Sequence, residues 1–207
     1  LHPELEPLVR FVRDHGIGAV HVRTDLIEHS EERLRSLLDS GVDVVSVDLS
    51  ATDPRTYESL RGRDAYESAQ MNIEWLLHHR TYTDSIPNLW LCPRIARRDE
   101  VYEQIETFYD AWRLAGAWPI IDPLHAPVDG ARIEPLGKPR VAELRMRQRE
   151  MLIRADGNVP ISAHDESSAI AANISESSFE DAWRSLRSAR DEITSKGWAG
   201  PDDLLSE

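Results

Sequence analysis

The sequence predicts an α/β protein with a parallel sheet, followed by a smaller α+β segment. Three observations carry this. Helix-spaced apolar stripes alternate with short β-branched runs from Pro3 to Asp122. Glycines stand where three of the helical stripes end, at Gly16, Gly41 and Gly116. After Pro123 the rhythm stops, and prolines and glycines crowd the next stretch. Strands alternating with helices imply parallel pairing, with helices covering the sheet. Right-handed crossovers then favour a barrel or a doubly wound sheet.

Each element has a local reason. Pro3 to His15 places Leu5, Leu8, Val9 and Val12 at helical spacing, and Gly16 stops the helix. Ala19 to Arg23 is the first strand. Ser30 is a candidate N-cap for a helix burying Leu34, Leu37 and Leu38, with Gly41 after it. Val42 to Leu49 is the second strand, apolar apart from Asp43, Ser46 and Asp48. Asp64 to Arg80 is a long helix with Tyr66, Ala69, Ile73, Leu76 and Leu77 on one face. Leu89 to Ala96 is the third strand. Val101, Ile105, Phe108, Trp112 and Ala115 stripe the next helix, and Trp118 to Asp122 is the fourth strand.

Residues 126–145 read as a linker between a first domain, 1–125, and a second, 146–207. In the second, Met151 to Arg154 and Asn158 to Ile161 flank Asp156-Gly157, which signals a hairpin. Ser177 or Ser178 caps a last helix, with Phe179, Trp183, Leu186 and Ile193 expected to face inward.

Composition narrows the partners. Lys and Arg number 24 against 37 Asp and Glu, a net charge of -13. That surplus argues against nucleic acid and against an anionic membrane surface. No apolar run approaches the roughly 20 residues of a membrane helix. Leu1-His2-Pro3-Glu4 has neither an initiator methionine nor the features of a signal peptide, so the sequence reads as starting inside a longer protein or after a cut. Cys92 is the single cysteine, which excludes an internal disulfide framework and points to a cytoplasmic setting.

In either parallel architecture, chemistry belongs at the C-terminal ends of the strands. Those ends carry Arg23-Thr24-Asp25, Asp48-Leu49-Ser50, Arg94 to Arg97 and Asp122 to His125. Ser46 and Asp48 alternate along one strand and so face one side. They suit a ligand contact or an internal hydrogen-bond network. Arg94 is placed to clamp a substrate carboxylate, or to form a surface salt bridge. His125 follows the fourth strand and is a candidate substrate contact. Ser162, His164 and Asp165 invite a hydrolase triad, but the sharp strand-to-helix elbow of such a nucleophile is missing. His78-His79 ends a helix, where a cationic His suits the dipole.

A family resemblance rests on motifs in order. Leu1 to Leu5, Val22-Arg23-Thr24-Asp25, Val45-Ser46-Val47-Asp48, Asp53 to Gly62, Met71-Asn72-Ile73 and Ile105 to Gly116 follow one another as in barrels of the radical S-adenosylmethionine (radical SAM) superfamily. Ile153 to Val159, Asn173-Ile174 and Ser178 to Trp183 resemble its SPASM appendage. The resemblance implies a partial (β/α)6 barrel with about four of the family's six strands, then the appendage. It implies that Thr24, Asp25, Ser46 and Asp48 contact S-adenosylmethionine. It also implies that a 4Fe-4S cluster is held by a Cys-x3-Cys-x2-Cys motif upstream of Leu1. A peptide or protein substrate is expected, with Arg94 and His125 beside it.

The departures are specific. Asp25 stands at the usual Asn or Gly. Ile161-Ser162-Ala163 stands where the appendage has its first cysteine, so no auxiliary cluster is expected. Part of a radical SAM enzyme is therefore expected, inactive as this chain alone. A degenerate, non-catalytic binding module is the competing expectation, and an α/β barrel of unrelated function is the third.

Overall fold

The computed structural model of the protein describes residues 4–27, 29–122, 149–161 and 169–195. The backbone divides into two units, Leu1–Leu124 and His125–Glu207. The first is built on a four-stranded parallel sheet. Its strands are β1 (His21–Thr24), β2 (Val44–Asp48), β5 (Trp90–Ala96) and β6 (Ile120–Asp122), and they lie side by side in that order. Along the chain between β2 and β5 comes a separate small antiparallel hairpin of β3 (Tyr82–Thr83) and β4 (Ile86–Pro87).

The helices of this unit are α1 (Leu5–Asp14), α2 (Glu31–Asp39), α3 (Pro54–Arg61), α4 (Tyr66–His79) and α5 (Ile105–Leu114), the last preceded by a 3-10 segment, Asp99–Gln104. Local chemistry sets their ends. Ser30 caps α2, its hydroxyl accepting from the Arg33 amide. Asp53 caps α3 by accepting from the Thr56 amide at 2.9 Å, and Pro54 opens the helix with a φ already suited to it. Gly62 closes α3 at φ 69°, where a side chain would be strained.

Parallel register sorts the side chains into two faces, because aligned residues point the same way and neighbours along a strand alternate. Val22, Val45 and Leu91 form one row, and Thr24, Val47 and Pro93 the next. Val22, Val45, Val47, Leu91 and Ile95 join Leu34, Leu37, Ile73, Leu76, Phe108 and Trp112 in a single buried core. This is the helix-covered face. The alternate rows are Arg23, Ser46 and Cys92, then Asp48, Arg94 and Ile120. These rows stay outside that core.

The second unit pairs β7 (Asn158–Pro160) with β8 (Ile170–Asn173), antiparallel and with an irregularity at Val159/Pro160. Helix α6 (Phe179–Ser195) packs Ala182 and Leu186 against Val159. Gly157 is required at its turn: φ is 82°, and a Cβ would lie 2.9 Å from the Asn173 side-chain oxygen.

Several expectations are corrected. Met151 to Arg154 forms no strand. The Asp156-Gly157 turn is present, with the Asn158 amide held by the Asp156 carboxylate at 3.0 Å, but the strand it starts pairs forward with β8. Ser178 is the α6 cap, accepting from the Asp181 amide. Phe179 and Leu8 are exposed rather than inward-facing, and Ala115 is exposed too. The linker, His125, Ser162 to Asp165 and the Ile193 side chain lie outside the described residues.

Candidate functional site

Four charged residues, one from each strand of the parallel sheet, meet on the face away from the helices. Arg23 on β1 donates from Nε to both carboxylate oxygens of Asp48 on β2, at 2.9 and 3.0 Å. Arg94 on β5 pairs side-on with Asp122 on β6, its Nε 2.7 Å from Oδ2 and its Nη2 on Oδ1. Two longer contacts close the ring: Arg94 to Asp48 at 3.6 Å and Arg23 to Asp122 at 3.7 Å. Charges therefore alternate around a four-membered ring whose net charge is zero. Arg94 keeps 13% of its side chain exposed against 56% for Arg23, so the ring is deeper on its β5 side.

Beneath the ring, toward the strand N-termini, Ser46 is fully buried and shares a 2.8 Å hydrogen bond with His21 Nε2. Burial lowers the His21 pKa first, and the charges of Arg94 and Arg23 lower it further. This imidazole is thus neutral near pH 7. Cys92 lies in the same row as Ser46, and burial raises its thiol pKa.

The loops that follow β1 and β2 carry backbone strain. Two residues past the ends of β1 and β2, Leu26 and Ser50 adopt φ of 53° and 65°, the left-handed region that costs non-glycine residues about 1 kcal/mol or more. The surroundings hold them there. Leu26 donates its amide to Thr24 Oγ1 and accepts from the Asn72 side chain. Ser50 donates its amide to the Arg94 carbonyl. Gln104 then ties down the β2–α3 loop: its Oε1 accepts from the Thr52 amide and hydroxyl, and its Nε2 donates to Asp53 and Thr56. An open cleft of about 540 Å³ runs along β1 beside the ring, lined by Leu5, His21, Arg23, Asp25, Asp48 and Arg61 among others.

The residues expected to form a site divide accordingly. Asp48 and Arg94 are brought together in the ring, and Ser46 lies beneath it. Thr24 points to the helix-covered face, 8% exposed, with its hydroxyl occupied by the Leu26 amide. Asp25 faces Arg63 at 3.4 Å. Arg97 is exposed and lines a second open cleft, with Tyr102, Tyr109 and Ile121, at the β6 edge. Sequence reasoning placed Arg23 and Asp122 at strand ends but did not single them out, and it overlooked His21. Strand alternation could have flagged Arg23, since it is two residues from His21 and adjoins Thr24; its pairing with Asp48 needs the interstrand register.

The chemistry this arrangement supports is binding. Both carboxylates are engaged by guanidinium groups, which suits neither to proton abstraction, and the Ser46 hydroxyl is buried under the ring. An iron–sulfur cluster does not fit the residues present. The one thiol, Cys92, is buried with its thiolate disfavoured, and among the described residues no three His, Cys, Asp or Glu side chains gather as a metal site. No described helix is long and apolar enough to cross a membrane. No protein-family model matches the chain, and no curated protein matches it significantly.

Proposed function

We propose that residues 1–125 are an arc of a (β/α)6 barrel of the radical SAM type, and that the ring-bearing face is its lumen. The arc would bind S-adenosylmethionine and position a peptide or protein substrate for hydrogen abstraction. The observation that carries this reading is the strand order. Four parallel strands run consecutively without reversal, with apolar residues toward the helices and charges on the other side. A doubly wound sheet reverses its order and covers both faces with helices. A barrel covers one face and turns the other inward.

On this reading Asp48 holds a polar group of S-adenosylmethionine, Ser46 supports it from beneath, and Arg94 orients the substrate. When bound, the cofactor would supply the 5′-deoxyadenosyl radical. The chain's own residues orient the ligands and fix the strand ends through Gln104 and Asn72. A cluster would have to find its ligands elsewhere in the polypeptide, and the appendage, residues 146–207, would fold without one. Equilibrium dialysis of the 207-residue protein against S-adenosylmethionine tests the binding step. Saturable uptake, weakened by Asp48→Asn, is expected. Failure to saturate at millimolar ligand, or indifference to D48N, would remove the reading.

A second reading, a non-catalytic binding module on the same scaffold, is favoured by the lone buried thiol and by the engagement of Asp25 with Arg63. The two part at the coding sequence upstream of Leu1: a Cys-x3-Cys-x2-Cys motif there supports the enzyme, and its absence supports the module.

A further inference from the structure

We infer that the N-terminal end of the parallel sheet docks an acidic, extended peptide segment of a partner protein. This goes beyond the proposed function. The surface lies at the end of the strands opposite the charged ring, and it stands whether or not the ring face binds a cofactor.

Topology gathers the surface. In a parallel sheet all strands begin at one end, and the helices between them finish there. Trp90 opens β5, and Trp118 lies two residues ahead of β6. Their rings meet edge to face, with 5.2 Å between centroids. The β3–β4 hairpin follows the end of α4, and the last turn of α5 precedes Trp118. On these segments five large apolar side chains are left in solvent: Tyr82, Ile86, Trp90, Leu114 and Trp118, from 37% exposed at Trp90 to 89% at Leu114. None of the five lines either cleft described above. An open aromatic surface suits a macromolecular partner rather than an enclosed small molecule.

Two arginines bind this surface together. Arg80 joins the hairpin to the end of α5: its Nε donates to the Tyr82 hydroxyl at 2.8 Å and its Nη2 to the Gly116 carbonyl at 2.7 Å. Gly116 permits the approach, since a Cβ there would lie 3.2 Å from Nη2. The Arg80 guanidinium also lies over the Tyr82 ring at 5.3 Å, and that of Arg113 over the Trp118 ring at 4.6 Å.

Charge picks the partner. The chain has a net charge of -13, a large surplus of carboxylates. Yet among the described residues neither Arg80 nor Arg113 forms an ion pair; rings, a hydroxyl and a carbonyl are their partners. Asp84 at the hairpin tip pairs with neither, and Asp110, three residues before Arg113, lines the cleft at the β6 edge instead. Stacking occupies the face of a guanidinium and leaves edge N–H groups for a carboxylate. A nucleic acid also carries anions, but its charge density meets the repulsion of the whole chain. An acidic peptide presents a few carboxylates between apolar side chains, and so answers both chemistries of the surface. Trp, Tyr and Arg are also the residues that dominate binding at protein interfaces.

The test titrates the nitrogen-15-labelled full chain with a blocked peptide, Glu-Phe-Glu-Pro-Glu-Phe-Glu, whose proline favours an extended backbone. The indole N–H resonances of Trp90 and Trp118, assigned through Trp90→Phe and Trp118→Phe, report contact. Both are expected to shift saturably. Arg113→Gln is expected to weaken binding about fivefold, and raising NaCl from about 50 to about 500 mM to weaken it further. R80Q/R113Q is expected to lose more, and R113Q alone decides the matter if loss of the Gly116 contact disturbs the double variant. The same peptide with lysine for glutamate reports charge selectivity, and an oligothymidylate of about 12 nucleotides reports the nucleic-acid alternative. Absence of a shift at both indoles, equal binding of the lysine peptide, tighter binding of the oligothymidylate, or indifference to R113Q each overturns the inference. Uptake of S-adenosylmethionine is expected to be the same in R113Q as in the parent, so this surface and the cofactor reading stand or fall separately.

Discussion

The two faces of the four-stranded sheet share one backbone and one register, yet they are held by different forces. Toward the helices, Val45, Val47, Leu91 and Ile95 are at most 1% exposed and packed in the apolar core. On the other side, the residues next to them along the same strands are Ser46, Asp48, Cys92 and Arg94. Apolar burial at roughly 25 cal/mol per Å² stabilises the first face. The second gains little net stability, since ion pairs at the edge of solvent return about what they cost in desolvation. The alternation thus divides labour within single strands: one set of alternate residues builds the core, and the other carries the charged ring.

Breaking this division should be most costly on the helix side. Leu91→Ala is expected to lose about 3 kcal/mol in urea unfolding, the cost of a large-to-small change in a packed core. Cys92→Ala, one residue along, should cost well under half of that. A loss at Cys92 equal to that at Leu91 would erase the contrast. Next in size is the ring. Arg94→Gln should destabilise by about 1–2 kcal/mol, because Asp122 loses its bidentate partner at partial burial, and D122N in the same molecule should recover part of it. A double-mutant cycle measures that recovery, and strict additivity would mean that the pair is not coupled.

A smaller effect belongs to the loop that carries the second strand into α3. Asp53→Ala removes both the helix cap and a Gln104 contact and should cost about 1 kcal/mol. The Thr56 amide lowers the Asp53 pKa, so this contribution is present above the ordinary carboxylate value near 3.9 and is lost as pH falls through the lower folded value. An unfolding series in acid should show Asp53→Ala and the parent converging at low pH.

The smallest effect is a histidine signature. Burial depresses the His21 pKa, so the unfolded chain binds the proton more readily and stability declines as pH drops below about 6.5. His21→Gln should flatten that decline in part. His29 is also held low by burial, and its two ring nitrogens have no hydrogen-bond partner, so it adds to the slope in the same direction. A slope untouched by H21Q would place the whole effect elsewhere.

Much of the first unit was legible because its elements are announced locally. Ser30 and the apolar stripes of α4 and α5 leave few alternatives, and four strand-like runs alternating with helices favour parallel pairing. The β3–β4 hairpin was not legible. Its turn residues, Asp84 and Ser85, adopt φ of 50° and 68° without a glycine to advertise it. The Asp156-Gly157 turn misled in the opposite way. It advertised a hairpin with the preceding segment, but tertiary packing gave Asn158 to Pro160 a partner in Ile170 to Asn173. Asp48 and Arg94 could be picked from their places at strand ends. That they meet each other, and that Arg23 and Asp122 complete the circuit, depends on interstrand register, which no single strand encodes. Thr24 illustrates the parity problem: one step along β1 moves a side chain from the ring face to the helices.

Cys92 turns this architecture into a measuring device. The sequence has no other thiol, so the rate at which an added disulfide reagent modifies the protein counts openings at a single address, in the row just below the charged circuit. A ligand that clamps that circuit would slow the clock, and one that only pries it apart would speed it.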